Sequence, residues 1–150
     1  MQLNLEINNQ AKSPVRKAFF AAVWKIIFSD KILALPAKKF TLSLALVSRA
    51  EIRRINRIWR KKDAVTDVLS FAEFKNFEEI KKSREKEVFL GEIILCYDDI
   101  TAYASKNGLK TQTELVKVFL HGILHLLGFK HGLKMFALQS KLLTKFKWNA

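Results

Sequence analysis

The sequence predicts an α+β domain in which a small mixed β-sheet of about four strands packs with about five helices. Strand-like alternation of apolar residues occurs mainly before residue 97, and helical periodicity dominates after it. Of the 150 residues, 49% are apolar, which is enough for one compact core and argues against disorder. The chain has no repeats and no linker rich in Pro, Gly or Ser, so we expect one domain over residues 1–150.

The first third of the chain alternates between strand and helix patterns. Polar and apolar residues alternate over Met1–Ile7, which predicts the first strand. Ser13 and Pro14 have the residue types of an N-cap and a first helical position, so a helix is predicted from there through about Phe28. Alternation returns over Phe40–Val47 and predicts the second strand.

The middle of the chain begins with a helix start signal. Ser48 and Glu51 have the spacing of a capping box, which predicts a helix to about Trp59. The third strand is predicted over Asp67–Phe71. The charged stretch Lys75–Glu87 is expected to be a solvated excursion between strands.

The last strand and the remaining helices follow that excursion. The fourth strand is predicted over Val88–Cys96, and Gly108 is expected to end the helix after it. Thr111 and Glu114 suggest another capping box, and Gly128 stands where a left-handed glycine ends a helix. The three helices of this half are predicted over about Asp98–Asn107, Thr111–Leu127 and Leu133–Phe146.

The charge of the chain indicates the kind of partner it attracts. Lys and Arg number 27 against 14 Asp and Glu, a formal charge of +13, which favours polyanions such as nucleic acid. The single cysteine, Cys96, excludes an intramolecular disulfide and suits a reducing compartment. No apolar run approaches the roughly 20 residues that cross a bilayer. We therefore expect a cytoplasmic protein that does not bind membranes.

All three histidines of the chain lie within one short segment. His121 and His125 are four residues apart on a predicted helix, so both imidazoles leave the same face. Gly128 can turn the chain back by adopting a positive φ, which lets His131 reach the same ion. Three imidazole nitrogens bind Zn²⁺ and leave a fourth position open, which is typical of a catalytic site.

The spacing leaves other interpretations open. An isolated histidine pair at this spacing is more often structural, and the third histidine after a glycine is what favours a metal. Metzincin proteases share the spacing, but they have a glutamate as general base after the first histidine. Here that residue is Gly122, which argues against a metzincin-type peptidase. Hydrolysis would then use metal-bound hydroxide or a base from elsewhere.

Two basic segments could contact a phosphodiester backbone. Residues 49–62 contain seven basic residues and one acid, and the chain after Glu114 contains no acidic residue. A solvated helix face is the simpler interpretation for any one lysine, but two such segments favour nucleic acid. Trp59 could stack a base, although an aromatic residue at a helix end is more often part of the core.

Several segments resemble the YbeY-type endoribonucleases. The metal motif His121–His131 is similar to theirs, and Leu90–Ile93 resembles their L-G-[DE]-I strand. Trp59 and Arg60, followed by Thr66–Phe71, resemble their aromatic-Arg pair and T-D-V-L-S-F strand. These motifs extend over about residues 56–131, and the element order and chain length agree with the family.

The resemblance implies a fold, an activity and a set of site residues. His121, His125 and His131 would bind one Zn²⁺ ion on a metzincin-like helix, and Arg60 would hold the scissile phosphate or stabilise its developing charge. The implied activity is cleavage of single-stranded RNA with metal-bound water as nucleophile. The family acts in the cytoplasm in rRNA maturation, at the 16S rRNA 3′ end, and in ribosome quality control, so rRNA or the ribosome is the expected partner and DNA is not.

One departure from the family pattern keeps other functions open. Lys130 stands where the family usually has an aspartate, and an inward-pointing cation there would weaken zinc binding. One alternative is an RNA- or ribosome-binding protein with a structural or vestigial metal site. Another is a metal hydrolase of a non-RNA bond, such as a peptide or amide.

Other polar residues are weaker site candidates. Glu92, Asp98 and Asp99 could act as bases or support the ligands, but carboxylates near element ends are more often structural. Asp67 could equally well be a strand-start residue. Met135 could support a metal from below, and core packing is the expected role.

Overall fold

The computed structural model describes residues 2–29, 33–36 and 38–146. Four strands and six helices follow one another in a mixed order. The strands are β1 (Gln2–Asn9), β2 (Lys39–Leu46), β3 (Val68–Ala72) and β4 (Glu87–Leu95). The helices are α1 (Lys17–Ser29), α2 (Arg49–Arg60), α3 (Phe77–Lys82), α4 (Tyr97–Lys106), α5 (Thr111–Leu126) and α6 (Leu133–Leu143). None of the helices within these ranges is both long and apolar enough to cross a membrane.

The four strands form one open, mixed sheet in the order β1-β2-β4-β3. β2 runs parallel to both of its neighbours, β1 and β4. β3 pairs antiparallel with β4, so β1 and β3 are the two edges of the sheet. The predicted α+β class and small mixed sheet are confirmed, and the position of β3 at an edge determines where the site lies.

The two faces of the sheet are covered unequally. The large core places α5, through Phe119 and Ile123, and α1, through Phe20, against the main face of the sheet. A smaller cluster on the other face packs Ile52 of α2 against Leu69 of β3. Successive residues of a strand point to opposite faces, so α2 and α5 enclose β3 from its two sides. Met135 of α6 is buried in the large core, as expected.

The start of the first helix was predicted wrongly. α1 begins at Lys17, and Ser13 is not its N-cap. The Asn9 side chain accepts a hydrogen bond from the Ser13 amide and donates to the Ser13 carbonyl oxygen, both at 2.9 Å. Those bonds hold the Ser13 backbone in a loop, so helical hydrogen bonding starts later.

Other features of the helices also differ from those predicted. The expected excursion Lys75–Glu87 contains α3, whose six residues bury only one side chain, Ile80. The capping box predicted from Thr111 and Glu114 is wrong, because Lys110 takes the N-cap position of α5 without a side-chain hydrogen bond and Glu114 is buried. In contrast, the predicted N-cap of α2 is confirmed, because the Ser48 side chain accepts a hydrogen bond from the Glu51 amide. α6 ends at Leu143, three residues before the predicted end.

Gly91 permits the close approach of β3 to β4. The register with β2 shifts here, because Thr41 pairs with Phe89 and Leu42 with Gly91, which leaves an extra residue in β4. Gly91 has φ of 132°, a conformation that other residues rarely adopt. A Cβ at this position would collide with the carbonyl oxygen of Phe71 in β3.

We expect Gly91→Ala to destabilise the fold by about 3 kcal/mol, because it adds both backbone strain and a collision with β3. The matched control is Gly108→Ala, which also has positive φ, 66°, but would contact nothing within 4 Å. The control should lose only about 1 kcal/mol. Urea unfolding of the two variants measures both values, and equal losses would contradict the role of the Phe71 contact.

Candidate metal centre

Helix α5 carries His121 and His125 one turn apart, so both imidazoles leave the same side of the helix. Both side chains are half-buried, and their Nε2 atoms lie 3.1 Å apart. The pair of neighbouring imidazoles that the spacing predicted is therefore present in the fold.

Gly128 follows the helix and turns the chain back toward these two rings. Its φ of 91° is positive, as predicted, and its amide donates to the His125 carbonyl oxygen at 3.0 Å. A Cβ here would come within 2.6 Å of the Asn76 Cα atom, so the close approach of the two backbones also requires glycine. The returning chain then places His131 beside the helix.

The three imidazoles converge through their Nε2 atoms. The Nε2 atom of His131 lies 3.1 Å from that of His121 and 3.2 Å from that of His125. Tetrahedral coordination with bonds of about 2.0–2.1 Å separates two ligand nitrogens by about 3.3 Å. The triangle is therefore close to the size that a tetrahedral ion requires, and the cluster fits a metal site.

Hydrogen bonds on the far side of two rings direct their lone pairs toward this point. His125 Nδ1 donates to the Phe129 carbonyl oxygen at 3.0 Å, and His121 Nδ1 donates to Gln139 Oε1 at 2.9 Å. A neutral imidazole has one N–H group, so both Nε2 atoms carry lone pairs that face each other. Facing lone pairs repel each other, and a cation between them relieves that repulsion.

The surroundings of His125 favour the form that binds metals. Burial lowers the pKa of its imidazole, and the neighbouring His121 and His131 lower this pKa further. The charge of Arg60 acts in the same direction. His125 therefore stays neutral at a lower pH than an exposed histidine does, and a neutral imidazole is the ligand form.

Two residues of α6 that the sequence pattern did not single out complete these surroundings. Gln139 is 7% exposed and accepts the hydrogen bond from His121. The Phe136 ring lies 6.2 Å from the His131 ring and 6.4 Å from the His121 ring, nearly parallel to both. A signal for Gln139 was available, because it is a polar residue four positions after Met135 within an apolar stripe.

A cleft of about 870 Å³ runs along β3 and includes the three histidines. Every residue of β3 lines it, the end of α2 contributes one wall, and the turn after α5 contributes another. The described lining contains four basic residues and one acidic residue, Asp67. The basic residues are Arg60, Lys62, Lys75 and Lys130. The cleft is therefore suited to an anionic ligand.

Arg60 is fixed in this cleft by two contacts with β3. It is the last residue of α2, and its guanidinium donates a hydrogen bond to the Ser70 carbonyl oxygen. The same group lies 4.8 Å from the centroid of the Phe71 ring, a cation–π distance. The fold thus brings the sequence-predicted Arg60 and the three histidines to one cleft.

Among the carboxylate candidates, only Asp67 is part of the described lining of the cleft. Asp67 lines the cleft, whereas Glu92, Asp98 and Asp99 are outside the lining that the structure describes. Asp99 lies 3.8 Å from the Arg49 guanidinium, in an ion pair, and its charge also acts on the Asp67 carboxyl. Asp67 is therefore the carboxylate of this group that shares the cleft with the histidines.

Gly122 lies against the sheet, where a side chain would meet tight contacts. A Cβ there would come within 3.1 Å of Ile93 Cδ1 and 3.3 Å of Ser70 Oγ. A glutamate at this position, which metzincins carry, would press on the side chains of Ile93 and Ser70. Any protein base for hydrolysis must therefore come from another position.

Comparisons with known proteins point to one family. A family model described as Endoribonuclease YbeY matches residues 6–147. The Endoribonuclease YbeY of Macrococcus caseolyticus is 38% identical over 110 residues, 70% of this chain and 71% of that protein. The Endoribonuclease YbeY of Staphylococcus saprophyticus is 34% identical over 137 residues, 88% and 89% of the two chains.

A solved structure shows the same fold. The solution structure of TM1509 from Thermotoga maritima matches with a TM-score of 0.63, over 94% of this chain and 87% of that chain. The two sequences are 24% identical, so this likeness bears on the fold alone.

We expect Gln139→Leu to weaken binding of Co²⁺ or Zn²⁺ by about 10- to 100-fold, because His121 loses the acceptor that fixes its ring. Gln139→Glu keeps an acceptor at the same place and should retain the affinity. Titration with Co²⁺, followed by its visible absorption, measures both variants, and full affinity in Gln139→Leu would show that the hydrogen bond is dispensable.

The Asp67 carboxyl makes the stability of the fold depend on pH. Burial raises the pKa of its carboxyl above the ordinary 3.8, and the charge of Asp99 raises this pKa further. A carboxyl with a raised pKa holds its proton more tightly in the folded state, so stability falls as the pH rises through this pKa.

We therefore expect Asp67→Asn to be more stable than the wild type at pH 7, with a difference that shrinks toward pH 4. The amide oxygen can still accept from the backbone amides of residues 67 and 68, which the carboxylate uses. Urea unfolding of the metal-free protein at both pH values measures the difference. Lower stability of the variant at pH 7 would mean that the charge is favourable there.

Proposed function

The chain belongs to the YbeY endoribonuclease family, and we propose that it is a zinc-dependent endoribonuclease that cleaves single-stranded ribosomal RNA. The proposed process is maturation of the 16S rRNA 3′ end, together with ribosome quality control, in the cytoplasm. Residues 1–150 would act as one catalytic domain. The single observation that carries the proposal is that the Nε2 atoms of three imidazoles meet at one point of a cleft bordered by cations.

His121, His125 and His131 would hold one ion. Three neutral imidazoles at this spacing suit Zn²⁺, which accepts nitrogen ligands in a tetrahedron and keeps a fourth position for water or substrate. The hydrogen bonds from His121 to Gln139 and from His125 to Phe129 orient the two rings. When bound, zinc activates water for attack on a phosphodiester.

Arg60 would bind the phosphate that is cut. Its guanidinium is held by the Ser70 carbonyl oxygen and the Phe71 ring, so little motion is needed when an anion arrives. Its remaining N–H groups can donate to phosphate oxygens, on which negative charge develops during the reaction. Lys62, Lys75 and Lys130 would contact neighbouring phosphates of the same strand.

A second function is favoured by one residue. Lys130 precedes His131 and is exposed in the cleft, where its positive charge would repel a metal ion held by the histidines. If that effect prevailed, the chain would bind RNA or the ribosome with a structural or vestigial metal site. Such a protein would bind RNA without cleaving it.

The test compares the zinc-loaded wild type with two variants on a labelled single-stranded RNA. His125→Ala should lose both the bound zinc and the cleavage, because two imidazoles remain. Arg60→Ala should keep the zinc and lose about 100-fold in cleavage rate, because a group that stabilises the developing charge is absent. Metal analysis and a cleavage gel give the two readouts.

Wild-type protein that is stripped with a chelator and reloaded with zinc is the matched control. Equal cleavage by the wild type and His125→Ala would contradict a histidine-bound metal in catalysis. RNA binding without cleavage in the zinc-loaded wild type would favour the binding-protein alternative.

A further inference from the structure

Trp59 is exposed, although an aromatic residue at a helix end is more often part of the core. It lies seven residues after Ile52 on the same face of α2, but Ile52 is 0% exposed whereas Trp59 is 69% exposed. The smaller core cluster that buries Ile52 ends before the last turn of the helix. The indole ring of Trp59 is thus left in solvent, where its face can stack on a ligand.

The Trp59 ring continues an aromatic surface that begins inside the cleft. Its centroid lies 6.4 Å from that of Phe71, with the two planes 74° apart. Phe71 lines the same cleft as the histidines and carries the Arg60 guanidinium at 4.8 Å. A path along the protein surface therefore leads from the histidines, past Arg60 and Phe71, to Trp59.

The charge next to Trp59 suits a phosphate backbone. Lys61 and Lys62 follow this helix end, and both are exposed. Within the part of the chain that the structure describes, neither lysine forms a salt bridge, whereas Arg53 is paired with Asp63 at 2.8 Å. Two uncompensated cations and an exposed indole ring within four residues match the features that bind single-stranded nucleic acid.

We propose that Trp59, with Phe71 behind it, is a stacking subsite for one unpaired base of an RNA strand whose phosphate lies at Arg60. This inference rests on the proposed function, and it explains why the protein would prefer single-stranded RNA. A base within a duplex is covered on both faces by its neighbours, so it cannot also stack on Trp59. An unpaired base has a free face and can.

The experiment measures binding of a short single-stranded oligonucleotide by the full, zinc-loaded chain. The probe is a fluorescently labelled 2′-O-methyl hexa-adenylate, and a gel checks that it stays intact. A second set of probes has one abasic position each, moved along the strand. The proteins are the wild type, Trp59→Ala, Trp59→Phe and Ile58→Ala. Ile58 is the matched control because it is the adjacent residue, is 42% exposed and has no aromatic face.

We expect Trp59→Ala to bind the hexa-adenylate about 10-fold or more weakly, since stacking on an aromatic residue contributes that much per base. Trp59→Phe should lose less, and Ile58→Ala should bind within about 2-fold of the wild type. For one abasic probe, the missing base is the one that would stack on Trp59. The wild type and Trp59→Ala should bind this probe with equal affinity. Thermal melting checks that all four proteins are folded.

Two results would overturn the subsite. Wild-type affinity in Trp59→Ala would leave the exposed ring without a role in RNA binding and would favour a protein partner for this surface. A loss in Trp59→Ala that persists with every abasic probe would mean that no base contacts the ring. If the wild type cleaves RNA in either case, the proposed function stands and only this inference fails. If the wild type neither binds nor cleaves RNA, both fail.

Discussion

The site depends on how closely α5 packs against the β3 edge of the sheet. Gly122 makes this packing possible, because any side chain there would press on Ile93 and Ser70. The close contact brings His121 and His125 to the edge strand, and Gly128 returns the chain with His131. The fold holds the lone pairs of His121 and His125 close together, and their repulsion costs free energy. A bound metal ion would remove this repulsion, which favours cation binding.

The same edge strand also holds Arg60 in the cleft. The Ser70 carbonyl oxygen and the Phe71 ring fix Arg60, and α2 and α5 reach β3 from opposite faces of the sheet. One short strand of five residues thereby sets the distance between the histidine cluster and the guanidinium of Arg60. Gly91 in turn permits the contact between this strand and β4.

Local sequence patterns predicted the features of the fold that depend on residues close together in the sequence. The positions of His121 and His125 follow from helical geometry, and the turn at Gly128 follows from its residue type. Gln139 and the exposure of Trp59 depend on contacts between distant segments. An aromatic residue at a helix end is more often part of the core, yet the core around β3 ends before Trp59 and leaves its ring in solvent. α3 was missed because six residues with one buried side chain make too short a pattern.

The most direct test of this account is the coordination of the ion itself. X-ray absorption spectroscopy of the zinc-loaded chain should show three imidazole nitrogens at about 2.0 Å and an oxygen ligand in the remaining position. That result would establish that all three Nε2 atoms bind one ion and leave a position for water or substrate. Two or fewer imidazoles around the zinc, or a closed set of four protein ligands, would contradict it.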